Sequence, residues 1–243
     1  MHQQALTRER LIYGASAPFD GSNVRARMRA MDELHLVGGD AFADIGCGAG
    51  SYSRELLRRC RRRISFVDVL ESNIAATREL VGRPAIEVDF HTAPAEHLPL
   101  LSSAYDVALL IEVLDHVDDV GAVLSEVHRI LRPGGRCYIT VPNRLYPLET
   151  HPVLLGGRFV RPQFVPFLPW IPPLHRRLAT ARVFSARSLQ GLAREAGFAS
   201  IRLARMMPPL ERRGGPRARA VMRALSRTPL RVFGVSLVAV LYR

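Results

Sequence analysis

Cysteine is scarce in this chain, lysine is absent, and no long apolar run occurs. The three cysteines, Cys47, Cys60 and Cys137, are odd in number and never spaced C-x-x-C. That argues against a disulfide framework or a cysteine-based zinc site and suits a reducing compartment. With no lysine, the formal charge of +12 rests on arginine alone. Guanidinium groups favour bidentate contact with phosphate or carboxylate, so charge leaves anionic lipids, acidic substrates and nucleic acid open as partners without choosing among them. No stretch approaches the ~20 apolar residues of a membrane-spanning helix. Met1 to Arg10 lack the apolar core of a signal peptide. The expectation is a soluble cytoplasmic protein. Internal repeats and low-complexity tracts are missing too.

What is present is a chain of 243 residues, 48% hydrophobic, long enough to bury one full core. Short apolar strands alternate with amphipathic helices. Residues 41–45 form a strand running into glycines, and Tyr52, Leu56, Leu57 and Cys60 then recur at helical spacing over 51–63. A second unit has a strand at 64–67, ending in Asp68, and a helix over 72–80 with Ile74 and Leu80 inward. Strands are expected at 85–90 and 105–113, the latter nearly all apolar, as strands covered on both faces are. The clearest helix, 120–131, puts Val120, Val123, Leu124, Val127, Ile130 and Leu131 on one face; Arg132-Pro133-Gly134-Gly135 stops it before a fifth strand at 137–141. Ser185 is placed to cap a helix over 186–196 closed by Gly197, and 201–204 and 235–242 supply the last strands. Such alternation predicts a parallel sheet covered by helices on both faces.

Two stretches break the rhythm. Residues 143–182 hold seven of the 17 prolines together with Phe159, Phe164, Phe167 and Trp170, and a structureless loop of that length in a compact domain is usually functional. The run from Phe164 to Pro172, flanked by Arg158, Arg161, Arg176 and Arg177, could dip into the headgroups of an anionic membrane; a lid folded onto its own core is the other reading. Residues 217–227 alternate apolar side chains with arginines at helical spacing, the pattern of a solvated helix face.

The residues suited to chemistry begin with Asp44-Ile45-Gly46-Cys47-Gly48-Ala49-Gly50, a glycine-rich turn that lets a ligand approach the backbone. Glycine turns also serve merely to redirect the chain. Asp68 tips the balance: it ends the next strand, about 20 residues on, where a carboxylate can accept from ribose hydroxyls. An adenosine-containing cofactor is expected. On these residues, 42–50 resembles the first motif of class I S-adenosylmethionine-dependent methyltransferases. Asp68 matches that family's acidic ribose position. Ala95-Glu96-His97-Leu98-Pro99 resembles the adenine-side segment, Tyr105 to His116 the fourth-strand motif, and Leu131 to Arg136 the turn before the fifth strand.

The resemblance covers roughly residues 40–142 and implies an α/β, Rossmann-like, seven-stranded, mostly parallel sheet with the last strand antiparallel and an insertion after strand five. It implies one domain: a helical cap at 1–39, a cofactor core at 40–142, a substrate insertion or lid at 143–182, and a helix-strand part at 183–243. S-adenosylmethionine is the implied cofactor. Asp44, Gly46, Gly48 and Gly50 would surround its methionine part, Asp68 the ribose, and Ala95 and Glu96 the adenine. Glu112 would flank the donor methyl, or is merely a polar strand end. The match departs at Pro94, where many members carry an aspartate that accepts from the adenine amino group.

Methyl transfer needs alignment first, and a base only where the nucleophile carries a proton. His116 and His151 are the candidate bases, since imidazole titrates near neutral pH; structural histidines are the plainer reading. Glu149 with His151 could bind a metal, but two ligands do not define a site, and none is assigned. The insertion loosely resembles that of ubiquinone-biosynthesis O-methyltransferases, which implies O-methylation of a hydrophobic or carrier-linked small-molecule acceptor, with peripheral contact at an anionic membrane. Three alternatives stand beside it. A dinucleotide-dependent oxidoreductase would want glycine or alanine where Ser51 stands. An RNA-binding or RNA-modifying protein would use the basic surface, although no RNA-binding module or base-methylase motif occurs. The third is a non-catalytic cofactor-binding scaffold.

Overall fold

The computed structural model describes residues 21–156, 158–161, 165–208, 224–225 and 227–243. Its strands are β1 (Gly39–Ile45), β2 (Cys60–Asp68), β3 (Glu87–Thr92), β4 (Tyr105–Ile111), β5 (Leu131–Pro142), β6 (Val153–Leu155), β7 (Arg158–Val160), β8 (Ser200–Met206) and β9 (Ser236–Tyr242). Seven of them form one sheet in the order β3-β2-β1-β4-β5-β9-β8, while β6 and β7 make a separate hairpin. β1 to β5 are parallel, and β9 runs antiparallel to both β5 and β8. The last strand in the chain is thus the reversed one, as expected.

Helices cover both faces because the central strands are apolar on both. Every residue of β4 is buried, and successive residues alternate between two cores: Ala108 and Leu110 on one side, Val107, Leu109 and Ile111 on the other. The first core receives α4 (Val120–Ile130) and α6 (Ala186–Glu195). The second receives α1 (Gly21–Leu34), α2 (Ser53–Leu57) and α3 (Glu71–Val81), through residues such as Met28, Leu56 and Ile74. Burial of one such aliphatic side chain contributes roughly 1.5–3 kcal/mol. Ser185 caps α6 as expected, its hydroxyl accepting from Ser188 N while Ser188 Oγ accepts from Ser185 N.

Four expectations need correction. The helix drawn over 51–63 is only α2, because Cys60, assigned to it, opens β2 opposite Gly39. Strand pairing outweighs local periodicity there: the Cys60 thiol donates to the carbonyl of Asp40 on β1. β3 lies two residues later than 85–90, in register with the end of β2. Arg132 to Gly135 form a bulge inside β5, four residues facing the single Asp106 of β4 between the pairs Tyr105–Leu131 and Val107–Arg136. The insertion is not structureless. It holds the β6–β7 hairpin, a 3-10 turn at Leu168–Trp170 and α5 (Pro172–Leu178), and both of the latter use proline at their first positions, where no amide donor is needed. Phe164 and most of 217–227 lie outside the described residues. Among those described, no helix is long and apolar enough to cross a membrane.

Candidate functional site

The glycine turn follows β1 at the C-terminal edge of the sheet. Gly46, Gly48 and Gly50 have φ of +70°, +56° and +77°, the left-handed region that favours glycine. Two of the three are also required by the protein's own packing. A Cβ on Gly46 would stand 2.4 Å from Val113 Cγ2, and one on Gly50 would stand 3.1 Å from Thr77 Oγ1 on α3. The turn is then tied down from β2: Gly46 N and Cys47 N donate to Val67 O at 2.7 and 3.0 Å, and Thr77 Oγ1 donates to Gly48 O at 2.8 Å.

Asp68 is the anchor of this loop. Its Oδ2 accepts from Gly48 N at 2.8 Å, and its Oδ1 from Leu70 N and Asn73 Nδ2, both at 2.9 Å. A carboxylate offers about four acceptor positions, so one remains for a ligand hydroxyl. Asp44 is buried beside it, and its Oδ2 has no hydrogen-bond partner among the described residues. Burial, and then the charge of Asp68, push the Asp44 carboxyl up to about 7. A buried, unpartnered carboxyl oxygen beside a glycine turn and a ribose-type aspartate is what a cofactor with a cationic amino-acid end and a ribose would fit.

On the adenine side, Ala93 N donates to Asp68 O at 3.0 Å, bringing the segment after β3 against the turn. Ala95 and Glu96 are half-buried there, Ala95 packing on the core, while Pro94 is exposed and its carbonyl accepts from His97 N at 3.1 Å.

Beyond β4 the chain enters a second polar loop. Glu112 has φ +56°, a conformation that costs a non-glycine residue roughly 1–2 kcal/mol. Its amide is held by Thr140 O at 2.9 Å, and its Oε1 lies 3.3 Å from Arg27 Nη2. Arg27, on α1, also reaches Tyr52 Oη at 3.4 Å from the glycine-turn side. Burial works against its charge, but Glu112, Tyr52 and Asp115 together raise its pKa.

Asp115 is buried between the two predicted histidines. His116 Nε2 and His151 Nε2 lie 3.2 and 3.5 Å from its Oδ2, and the two rings meet edge to face with centroids 5.1 Å apart. Burial and then Glu112 push the Asp115 carboxyl well above the usual range. Burial also lowers the His151 imidazole, against the pull of Glu112 and Glu149. The insertion is fastened here: Arg182 N donates to Asp115 O at 2.9 Å.

Glu149 is not a partner of the His151 ring. Its Oε2 meets His175 Nε2 of α5 at 2.9 Å, and its Oε1 accepts from Thr150 N and His151 N at 2.8 and 3.1 Å. Those bonds outweigh burial and hold its carboxyl below the usual range. The metal pairing considered for Glu149 and His151 is therefore replaced by a group in which Asp115, His116 and His151 each offer one ligand atom, all within 4.8 Å of one another. Sequence reasoning names neither Asp115 nor Arg27. Asp115 had a signal, a carboxylate three residues after Glu112 and directly before His116; Arg27 had none, since nothing local on α1 marks it.

A family model described as a methyltransferase domain matches residues 43–139. The chain is 30% identical over 173 residues to the ubiquinone biosynthesis O-methyltransferase of Parvibaculum lavamentivorans, covering 71% of this chain and 62% of that one. Two Pseudomonas ubiquinone biosynthesis O-methyltransferases are covered to 51%, so the chain spans only about half to three fifths of the curated relatives it matches. Among solved structures, an S-adenosylmethionine-dependent methyltransferase of Mesorhizobium loti aligns with TM-score 0.64 at 21% identity, over 93% of this chain and 100% of that one. One of Thermotoga maritima aligns with TM-score 0.61 at 20% identity, over 99% and 95%. At these identities the structural likeness bears on the fold.

Proposed function

We propose that the protein is a class I S-adenosylmethionine-dependent methyltransferase that transfers a methyl group to an oxygen of a hydrophobic or carrier-linked small molecule, a reading supported by the match of residues 43–139 to a methyltransferase domain. The observation that carries the cofactor half is the Asp68 carboxylate at the tip of β2, bound to the amide of Gly48 and keeping an acceptor position spare. Bound S-adenosylmethionine would supply an electrophilic methyl on a sulfonium. Asp68 would hold its ribose; Asp44, Gly46, Gly48 and Gly50 would lie around its methionine part, where Arg27 is near enough to the turn to meet a carboxylate. Ala95 and Glu96 would flank the adenine, and Glu112 the methyl.

The remaining task is alignment, which can supply most of the rate enhancement of a displacement reaction. Proton removal from an acceptor hydroxyl belongs to the cluster after β4. There His151 has Nδ1 against Thr150 Oγ1 at 3.1 Å and turns Nε2 toward Asp115. The oxygen acceptor is supported by the O-methyltransferase relatives, and its hydrophobic character by residues 143–182, read as the acceptor-side insertion. Titration calorimetry with S-adenosylhomocysteine tests the reading. Micromolar binding by the wild type, lost in Asp68→Ala and Gly48→Val, is expected; a folded wild type that binds nothing would overturn it.

One further observation favours an acceptor presented at a lipid surface. Phe167, Trp170, Ile171 and Leu174 are 51%, 44%, 50% and 41% exposed along one short stretch, next to Arg176 and Arg177. Flotation with anionic liposomes is expected to carry the wild type and not a Phe167→Asp, Trp170→Asp variant. Equal failure of both would remove this part.

A further inference from the structure

We propose that Asp115, His116 and His151 form a binding site for a divalent transition-metal ion. Two of the three come from the loop after β4 and the third from the insertion, so the site joins the C-terminal edge of the sheet to the segment that follows β5. The two histidine–carboxylate spacings are those of a coordination shell. Ligand atoms about 2.1 Å from a common ion stand roughly 3.0 Å apart at octahedral angles and 3.4 Å at tetrahedral ones. His116 Nε2 and His151 Nε2 stand 3.2 and 3.5 Å from one and the same oxygen, Asp115 Oδ2. As hydrogen bonds these contacts fail: neither oxygen of the Asp115 carboxylate has a hydrogen-bond partner among the described residues, although the side chain is fully buried. An ionised carboxylate taken out of water without a partner costs several kcal/mol, and a bound cation would offset that.

The surroundings hold the ligands in place. His151 Nδ1 faces Thr150 Oγ1, which leaves Nε2 directed at Asp115. Glu149 accepts from the His151 amide, and its second oxygen is held by the buried His175 on α5. Outer partners of this kind fix the ring orientation of metal-bound histidines. Glu112 and Arg27 pair with each other at the border, so Asp115 is the carboxyl of the cluster left for a cation. Two imidazoles and one carboxylate, with further positions open, suit zinc, iron, manganese or cobalt better than calcium.

On the methyl-transfer reading, this names the acceptor class. A hydroxyl coordinated at an open position loses its proton more readily. His116 and His151 would then hold the ion in place of acting as bases. An acceptor with two adjacent oxygens, able to chelate the ion, fits such a site best.

The test uses the full chain, stripped with a chelator and free of cofactor, titrated with Zn²⁺ by calorimetry and with Mn²⁺ by electron paramagnetic resonance. One ion per chain is expected, with affinity reduced about 10- to 100-fold or more in His151→Ala and in Asp115→Asn, a scale set by the effect of weaker outer-partner changes. S-adenosylhomocysteine titration of the same samples shows that each variant is folded. No ion bound by a wild type that does bind S-adenosylhomocysteine, the result for a simple His-Asp-His contact, would overturn the site, as would undiminished binding in both variants, which would put the ion elsewhere. A wild type that binds the ion but not S-adenosylhomocysteine would leave the metal site standing and remove the methyl-transfer reading instead.

Discussion

Two buried aspartates at the same edge of the sheet, one ending β2 and one in the loop after β4, are treated in opposite ways. Asp68 is surrounded by donors, accepting from Gly48 N, Leu70 N and Asn73 Nδ2. Asp115, 2% exposed against 7% for Asp68, accepts no hydrogen bond with either oxygen among the described residues. The first loop completes itself and offers a ligand one spare acceptor. The second leaves a buried carboxyl to be matched from outside. One region is organised by backbone geometry, the other by side-chain chemistry converging from distant segments.

The sharpest way to break this contrast is at the point where the loops touch. Gly46 belongs to the first loop and Val113 to the second, and a Cβ at 46 would meet Val113 Cγ2 at 2.4 Å. Gly46→Val combines a left-handed backbone penalty of about 1–2 kcal/mol with an overpacking cost of about 1–3 kcal/mol. Urea denaturation should therefore show a loss on the order of 2–5 kcal/mol, with S-adenosylhomocysteine binding abolished. A variant within about 0.5 kcal/mol of wild type, the range of an ordinary surface substitution, would mean that the two loops do not constrain each other.

The next prediction compares signs. Asp68→Asn replaces an acceptor of three donors by a group that must present an amine to one side, and should cost about 2–3 kcal/mol, the scale of hydrogen bonds to a charged group. Asp115→Asn, in metal-free protein, removes a buried carboxyl whose oxygens accept no hydrogen bond among the described residues and should leave stability unchanged or raise it by about 1 kcal/mol. Thermal unfolding of the two variants side by side reads the difference. Equal destabilisation would show that Asp115 is as well satisfied as Asp68 and would erase the contrast.

That contrast also explains what the sequence disclosed. Short-range signals lie within one β-α unit: the glycines at 46, 48 and 50, the aspartate ending β2, the apolar runs of β1 and β4. Backbone hydrogen bonding and burial enforce them locally, so the alternation of strands and helices was legible in outline, while the reversed β9 was implied only by the family resemblance. Cys60 misled because a helical period and a strand start coincide where β2 pairs with β1. The insertion misled because its prolines read as breakers, whereas at Pro169, Pro172 and Pro173 they start short helices. His116 and His151 were named from titration chemistry, but the carboxylate that unites them was not. Their convergence depends on how 143–182 folds back onto β4, through contacts such as Arg182 N to Asp115 O, and no spacing rule encodes that return.

The smallest effect expected lies inside the first loop. Asp44 Oδ2 is a buried side-chain atom of that loop without a hydrogen-bond partner among the described residues, and burial followed by the charge of Asp68 pushes the Asp44 carboxyl up to about 7. An unfolded chain would titrate this group near 3.9. Between those two values the folded protein keeps a proton that the unfolded chain has released, so the folded state binds more protons. Its stability must then fall as pH rises from about 4 to about 7 and level off above, with a slope of at most about 1.4 kcal/mol per pH unit from this single group. Asp44→Asn should remove that part of the slope, seen as a flatter plot of unfolding free energy against pH in the variant than in the wild type. If a cationic ligand group also pairs with Asp44, S-adenosylhomocysteine binding will expel the proton, and affinity will rise between pH 5.5 and 7.5 in the wild type only, an interval that brackets the folded value. Calorimetry in two buffers of different ionisation heat counts that proton directly. A wild type that releases none would place Asp44 with the structural aspartates and leave Asp68 as the loop's sole ligand-facing carboxylate.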